Sequence, residues 1–146
     1  MSQKALGRLF NLTPAADGAW INIADQAAGV TFSGFLTGGI GDTYTLQQAK
    51  DSAGTGAVNL PCIADYWTNT GNGSDAWTKR TQAAAATVVA AAAATQNAVV
   101  IEVEGTQLSD DYCFVKLTST GAGAVTAITR DLGVQRAPEN LPATGA

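Results

Sequence analysis

The chain has 146 residues, of which 46% are hydrophobic, 7% aromatic and only 14% charged, and its formal net charge is −4. This length predicts one domain that buries roughly two-thirds of the surface of its unfolded chain. The eight basic residues are scattered along the sequence, which excludes the concentrated basic face of a nucleic-acid-binding protein. The low charged fraction favours a protein packed against copies or partners, although a stable monomer of this composition stays open.

Residues 1–18 are predicted to form an N-terminal arm. Leu6, Leu9 and Phe10 recur at spacings of three and four, with Arg8 on the other side, so they can form one amphipathic turn. This arm either docks on a neighbouring subunit or covers the core of its own domain. We expect neither a secretory signal nor a membrane helix, because no apolar run is long enough.

Short segments with period-two alternation follow, separated by turns rich in glycine, serine and aspartate, which is typical of β-strands. Gly34 lies inside one of these segments and predicts a bulge or a close approach of another part of the chain. The loop at residues 69–75 has no large side chain, so we expect it to be exposed. The strands are predicted at residues 19–24, 29–37, 43–49 and 76–81, and the most apolar block between them is residues 58–67.

Residues 83–95 (AAAATVVAAAAAT) are ambiguous between helix and strand. Alanine has the highest helix propensity, so a helix stays open. The segment lacks charged residues and a bulky apolar stripe, however, and its centre, Thr87, Val88 and Val89, is β-branched. We therefore expect a strand through Val89 and a loop after it.

A clear strand is predicted at residues 96–104, because Val99, Ile101 and Val103 alternate with side chains that face the other way. Residues 110–133 then give the strongest structural signal of the sequence, two strands joined by a turn of small residues, and they predict a β-hairpin. The first of these strands should turn Cys113, Val115 and Leu117 towards the core. The turn, residues 120–123 (TGAG), is a candidate contact tip.

The elements together predict an all-β protein, an antiparallel β-sandwich or jelly roll of about eight strands. The N-terminal arm at residues 1–18 precedes the sandwich domain at residues 19–136. Residues 137–146 contain two prolines without periodicity and predict an extended C-terminal tail.

No catalytic constellation is evident in the sequence. The chain has no histidine, which removes the commonest general base and the commonest metal ligand. The pairs Glu102/Glu104 and Asp110/Asp111 are the only close carboxylates. The adjacent aspartates point to opposite faces of a strand, while Glu102 and Glu104 share one face and are explained by solvent exposure. We expect no enzymatic activity.

Metal and disulfide chemistry are poorly supported as well. A calcium site between the loops of Asp42 and Asp51 lacks the dense acidic spacing of oxygen-ligand loops. Cys62 and Cys113 lie among apolar neighbours, which suits buried free thiols, and a disulfide stays open if their strands are adjacent. We expect no metal and no cofactor.

Two stretches together resemble a family, residues 43–58 (TYTLQQAKDSAGTGAV) and residues 111–136 (DYCFVKLTSTGAGAVTAITRDLGVQR). They are similar to small β-sandwich structural proteins in the virions of tailed bacteriophages, including head decoration (cement) and minor capsid proteins. The resemblance covers roughly residues 19–136 and rests on strand and turn patterns.

The resemblance implies a decoration protein on the capsid exterior, made in the host cytoplasm, that binds the major capsid protein and copies of itself but neither nucleic acid nor membrane. Another virion component of the tail or neck is the first alternative. A carbohydrate-binding module with Trp67 or Trp77 exposed is the second. Loops at one end of the sandwich are candidate contacts, as are seven residues of the arm and tail: Leu6, Arg8, Leu9, Phe10, Pro138, Leu141 and Pro142.

Overall fold

The computed structural model describes residues 12–14, 16–24 and 27–132. This part of the chain forms eleven β-strands in two antiparallel sheets, whose inner faces share one hydrophobic core. The predicted all-β sandwich is therefore confirmed, with more strands than the eight expected. The helical elements described are two single turns of 3₁₀ helix, Ala94–Gln96 and Gly105–Gln107. Within these ranges there is no helix with the length and apolar character needed to span a membrane.

The larger sheet has six strands and the smaller has five. The order in the six-stranded sheet is β1 (Leu12–Thr13), β11 (Ala124–Leu132), β3 (Ala27–Phe35), β9 (Ala98–Glu104), β6 (Ile63–Asn69) and β7 (Thr78–Ala85). The order in the five-stranded sheet is β2 (Ile21–Asn22), β10 (Phe114–Ser119), β4 (Asp42–Ala49) and β5 (Val58–Asn59), and β8 (Thr87–Ala90) also pairs with β4.

The core is built by the period-two alternation that the sequence predicts. Val99, Ile101 and Val103 of β9 are at most 1% exposed, while Glu102 and Glu104 between and after them face solvent. In the opposite sheet, Val115 and Leu117 of β10 are fully buried, as predicted. Each such side chain removed from water stabilises the fold by about 1.5–3 kcal/mol, so the inner faces hold the two sheets together.

Gly34 marks a close approach between the two sheets. A Cβ atom added to Gly34 in β3 would lie 2.5 Å from the ring of Tyr44 in β4. Tyr44 is only 1% exposed, so its ring fills the space that the missing side chain leaves. The expectation of a close approach at this glycine is confirmed.

The prediction of a β-hairpin at residues 110–133 is wrong. β10 pairs with β2 and β4 in the smaller sheet, whereas β11 pairs with β1 and β3 in the larger one. The turn of residues 120–123 therefore carries the chain from one sheet to the other. Small turn residues fit a hairpin and a crossing between sheets equally well, and contacts with distant residues decide between them.

The alanine-rich segment is extended, as favoured, and it also changes sheet. β7 pairs with β6 in the larger sheet, and β8 pairs with β4 in the smaller one. Ala86 lies between them, is 9% exposed, and its carbonyl accepts a hydrogen bond from the Leu46 amide at 2.7 Å. A small residue suits this point because it is buried where the chain crosses from one sheet to the other.

Part of the predicted N-terminal arm belongs to the sandwich. Leu12 and Thr13 pair with Ile128 and Ala127 of β11, and Ala16 is fully buried. The seven contact candidates of the arm and tail lie outside the described residues: Leu6, Arg8, Leu9, Phe10, Pro138, Leu141 and Pro142.

The two cysteines are free thiols rather than a disulfide. Cys62 and Cys113 are each half-buried, and Cys62 packs against the hydrophobic core. Burial raises the pKa of the Cys62 thiol, partly offset by a hydrogen bond with its own backbone. The thiol form is therefore favoured, as expected of a cysteine that serves in packing.

A candidate docking surface at one end of the sandwich

Three segments that are distant in sequence meet at one end of the sandwich, which we call the turn end: residues 36–42, 89–97 and 120–123. The Gly39 amide donates a hydrogen bond to the side-chain oxygen of Asn97 at 3.0 Å. The Leu36 amide donates to the Asn97 carbonyl at 2.9 Å, and the Thr120 amide donates to the Thr43 carbonyl, also at 2.9 Å. These bonds fix three irregular segments into one surface.

Glycine allows the first two segments to pack backbone to backbone. Gly41 has φ of 76°, in the left-handed region that side chains disfavour. A Cβ atom there would lie 2.8 Å from the Ala90 carbonyl oxygen. The turn between β3 and β4 therefore lies directly on the end of β8.

Asp42 ties the turn end together with its carboxylate. This side chain is 8% exposed and accepts hydrogen bonds from the Thr43 amide at 2.7 Å, the Gly121 amide at 2.9 Å and the Ser119 hydroxyl. Burial alone would raise the pKa of Asp42, but the hydrogen bonds from Ser119, Gly121 and Thr43 together lower it below its ordinary value. The ionised carboxylate is thus the form that the fold retains.

Gly123 and Tyr44 complete the surroundings of that carboxylate. Gly123 is buried, and a Cβ atom there would lie 2.3 Å from Oδ2 of Asp42 and 3.0 Å from both the Ser119 and Tyr44 hydroxyl oxygens. Burial, together with the negative charges of Asp42 and Asp17, raises the pKa of Tyr44 to about 12. The crossing turn is therefore packed against a neutral phenol and an ionised carboxylate.

A shallow groove of 370 Å³ lies on this end between the β3–β4 turn, β8 and the crossing turn. Ile40 and Val89 line it and are 66% and 63% exposed, the largest exposures among the large hydrophobic side chains of the described residues. Ala91 and Ala92 continue the apolar wall. A groove with this lining can receive an apolar side chain or a strand of a partner protein.

The three segments of the turn end contain no ionisable residue besides the buried Asp42. Asp17 lies beside them, and its exposed side chain accepts a hydrogen bond from the Ser119 amide at 2.7 Å. The opposite end, where β4 finishes and β10 begins, carries exposed charges at Lys50, Asp51, Asp110 and Asp111. The two ends of the molecule therefore offer different surfaces, and the groove at the turn end suits a largely apolar contact.

Asp42 and Asp51 do not share a calcium site. They lie at opposite ends of β4, and Asp51 accepts hydrogen bonds from the amides of Ala53 and Thr55 in its own loop, each at 3.0 Å. The described part of the chain holds no cluster of three or more acidic or cysteine side chains suited to a metal ion.

The other side chains singled out in the sequence lie elsewhere. Glu102 and Glu104 are exposed on β9, and Glu104 pairs with Arg130 rather than forming a cleft. Trp77 is 49% exposed and Trp67 is half-buried. The crossing turn that was predicted as a contact tip does lie at the turn end.

Ile40, Asp42 and Val89 were not predicted as parts of this surface. Ile40 is the one large apolar residue of the turn GGIGD, and its position in a turn indicates that it is exposed. Val89 follows Val88 in a strand, so one of the two has to face outwards.

Comparison with known proteins adds no relative: no family model, curated protein or solved structure matches this chain.

Proposed function

We propose that this protein is a virion structural protein of a tailed bacteriophage, specifically a decoration protein that binds the outside of the head shell and stabilises it. The resemblance of residues 43–58 and 111–136 to such proteins supports this proposal. The β-sandwich architecture supports it as well, because residues of these two stretches form the strands β4, β10 and β11.

The observation that carries the proposal is the turn end. Exposed Ile40 and Val89 flank a groove, and the one ionisable residue of its lining, Asp42, is buried and hydrogen-bonded. Covering two such side chains on a partner is favourable because apolar surface leaves water, at about 25 cal/mol per Å². Rigid hydrogen bonds between the segments limit the entropy that docking would cost.

In this proposal the protein is not an enzyme and needs no cofactor. Its partners are the major capsid protein and copies of itself, and neither nucleic acid nor membrane. It is made in the host cytoplasm and ends on the capsid exterior. A position in the tail or neck is the alternative within the same class, and electron microscopy of labelled particles distinguishes the two.

The test is binding to tailed-phage heads assembled without this protein. We expect wild-type protein to bind these heads and to raise their resistance to heat. Ile40→Asp and Val89→Asp should each weaken binding at least about tenfold, because a carboxylate would be desolvated in an apolar contact. Val58→Asp is the matched control, since Val58 is 44% exposed on β5, away from the turn end. Failure of wild-type protein to bind would overturn the proposal.

A carbohydrate-binding module is a second candidate, favoured by one observation. Trp77 is 49% exposed, and an exposed indole can stack on a sugar ring. In that case glycans would change the tryptophan fluorescence of the wild-type protein but not of Trp77→Phe. An unchanged emission across a glycan panel would remove this candidate.

A further inference from the structure

We propose that β7 pairs antiparallel with β7 of a second copy of this chain, so that two six-stranded sheets become one continuous sheet across a twofold axis. This inference rests on the proposed function only in the part that makes copies of the protein its partners. It names the strand that joins them.

β7 is the longest edge of the sandwich in the described residues. It spans eight residues and pairs only with β6. The other outermost strands are much shorter, with two residues each in β1, β2 and β5 and four in β8. An edge strand directs about half of its backbone amides and carbonyls away from its sheet, so β7 presents the largest set of groups that another strand can bind.

The long polar side chains of β7 do not cover this edge. Lys79 Nζ lies 3.1 Å from Oδ2 of Asp65 on β6. Arg80 Nε donates to the Thr68 hydroxyl on β6 at 3.2 Å. Edge strands are commonly protected by charged side chains that reach over the open side, but here the two charged side chains are bonded back to β6.

The glutamine of β7 is also held by its own chain. Gln82 Nε2 donates to the carbonyls of Ile63 and Thr87, both at 3.0 Å. Beyond it the register with β6 shifts, and Ala83 and Ala84 have no partner of their own on β6. Both alanines are exposed, so the second half of the edge is bare.

The sequence of β7 is complementary to itself in one direction only. Its first half, residues 78–80, carries both cations, and its last half, residues 83–85, is three alanines. Antiparallel pairing with Gln82 opposite Gln82 of the second copy places each Arg80 opposite Ala84 and each Lys79 opposite Ala85. The two Arg80 positions then lie about 14 Å apart along the seam and the two Lys79 positions about 20 Å apart, both beyond the Debye length of ~8 Å at physiological salt.

Parallel pairing would instead set each cation beside its own copy, about 4.8 Å away, where like charges repel. The cations therefore select the antiparallel arrangement. The small alanines leave room for the stems of Arg80 and Lys79 from the second copy to lie across them.

Analytical ultracentrifugation of the purified full chain over a range of concentrations tests this pairing. We expect a monomer–dimer equilibrium. Ala84→Glu should tighten it, because each new carboxylate lies opposite an Arg80, and Ala84→Arg should weaken it. The dissociation constants of the two variants should differ by about tenfold or more, because the dimer contains the pair twice.

Ala28 supplies the matched control, since it is an exposed alanine on β3, three strands away from β7 in the same sheet. Ala28→Glu and Ala28→Arg should leave the dissociation constant unchanged. A wild-type chain that stays monomeric to millimolar concentration overturns the pairing, as does an Ala84→Glu variant that weakens it like Ala84→Arg. A monomer that still binds phage heads would leave the proposed function intact, whereas a dimer that does not bind them would overturn only that function.

Discussion

At the scale of single residues, Asp42 has the greatest influence on the candidate docking surface. Its carboxylate accepts from Gly121, which lies 79 residues away in sequence, and from Ser119 beside the crossing turn. The same turn packs against Tyr44 through Gly123. The position of the groove therefore depends on a buried charge whose hydrogen bonds compensate for its removal from water.

Asp42→Asn should lower the free energy of unfolding at pH 7 by about 1.5–3 kcal/mol, because a neutral amide replaces an ionised acceptor of several bonds. The pKa of Asp42 is lowered in the folded state from 3.8, so its contribution is complete above that value and is lost as the pH falls through the folded-state pKa. Urea unfolding between pH 7 and pH 2 measures both effects. The variant should lose less stability in acid than the wild type.

Glu102→Gln is the control for that experiment, because Glu102 is exposed on the outer face of β9. Its stability at pH 7 should stay within about 0.5 kcal/mol of the wild type. An Asp42→Asn variant as stable as this control would show that the carboxylate does not hold the turn.

Gly123→Ala should destabilise the protein by about 1–3 kcal/mol, because its Cβ atom would meet Asp42, Ser119 and Tyr44 at once. The backbone at Gly123 has no positive φ, so the cost comes from crowding alone. Thermal unfolding measures it, with Ala122→Ser as control, since Ala122 is the exposed neighbour in the same turn. Equal melting temperatures for the two variants would contradict the packing described.

At the scale of elements, alternation explains β8 better than propensity does. Alanine-rich sequence favours a helix, but Val88 is fully buried and Val89 is 63% exposed, as neighbours on a strand must be. Pairing of β8 with β4 satisfies its backbone and places Val88 in the core. Tertiary contacts thus override the local preference.

Val88→Ala should cost about 1.5–3 kcal/mol of stability, since it removes two buried methyl groups and leaves a cavity. Val89→Ala removes the same atoms from the surface and should change stability by less than about 0.5 kcal/mol. Urea unfolding of both variants measures the difference. Similar losses at the two positions would contradict the strand, because they lie side by side in sequence.

Alternation was also the part of the fold that sequence could predict. The alternation of Val99, Ile101 and Val103 predicts a half-buried strand even when the neighbouring strands are unknown. Gly34 in the same way predicts a close approach of another part of the chain. The crossing between β10 and β11 could not be predicted in this way, because the turn TGAG is compatible with either connection. Its path is decided by Asp42, which is remote in sequence.

At the scale of the whole molecule, the sandwich has an apolar groove at one end and a cluster of exposed charges at the other. Residues 36–42 and 89–97 show no binding motif in the sequence, and they form a candidate docking surface only because the fold brings them together around the groove. The net charge and the charged fraction of the sequence could not predict this difference between the ends, because both quantities average over the whole chain.

This difference between the two ends predicts how salt should affect the binding of the protein to phage heads. A contact made by the groove lining buries no exposed charge, so head binding should change less than about threefold between 0.05 and 0.5 M NaCl, a range over which charge–charge contacts at the surface are strongly screened. Titration of fluorescently labelled protein onto heads lacking it measures this directly. The opposite end, with Lys50, Asp51, Asp110 and Asp111 exposed, would bind through such contacts instead. A steep loss of affinity with salt would therefore place the contact at charged surfaces and contradict docking through Ile40 and Val89.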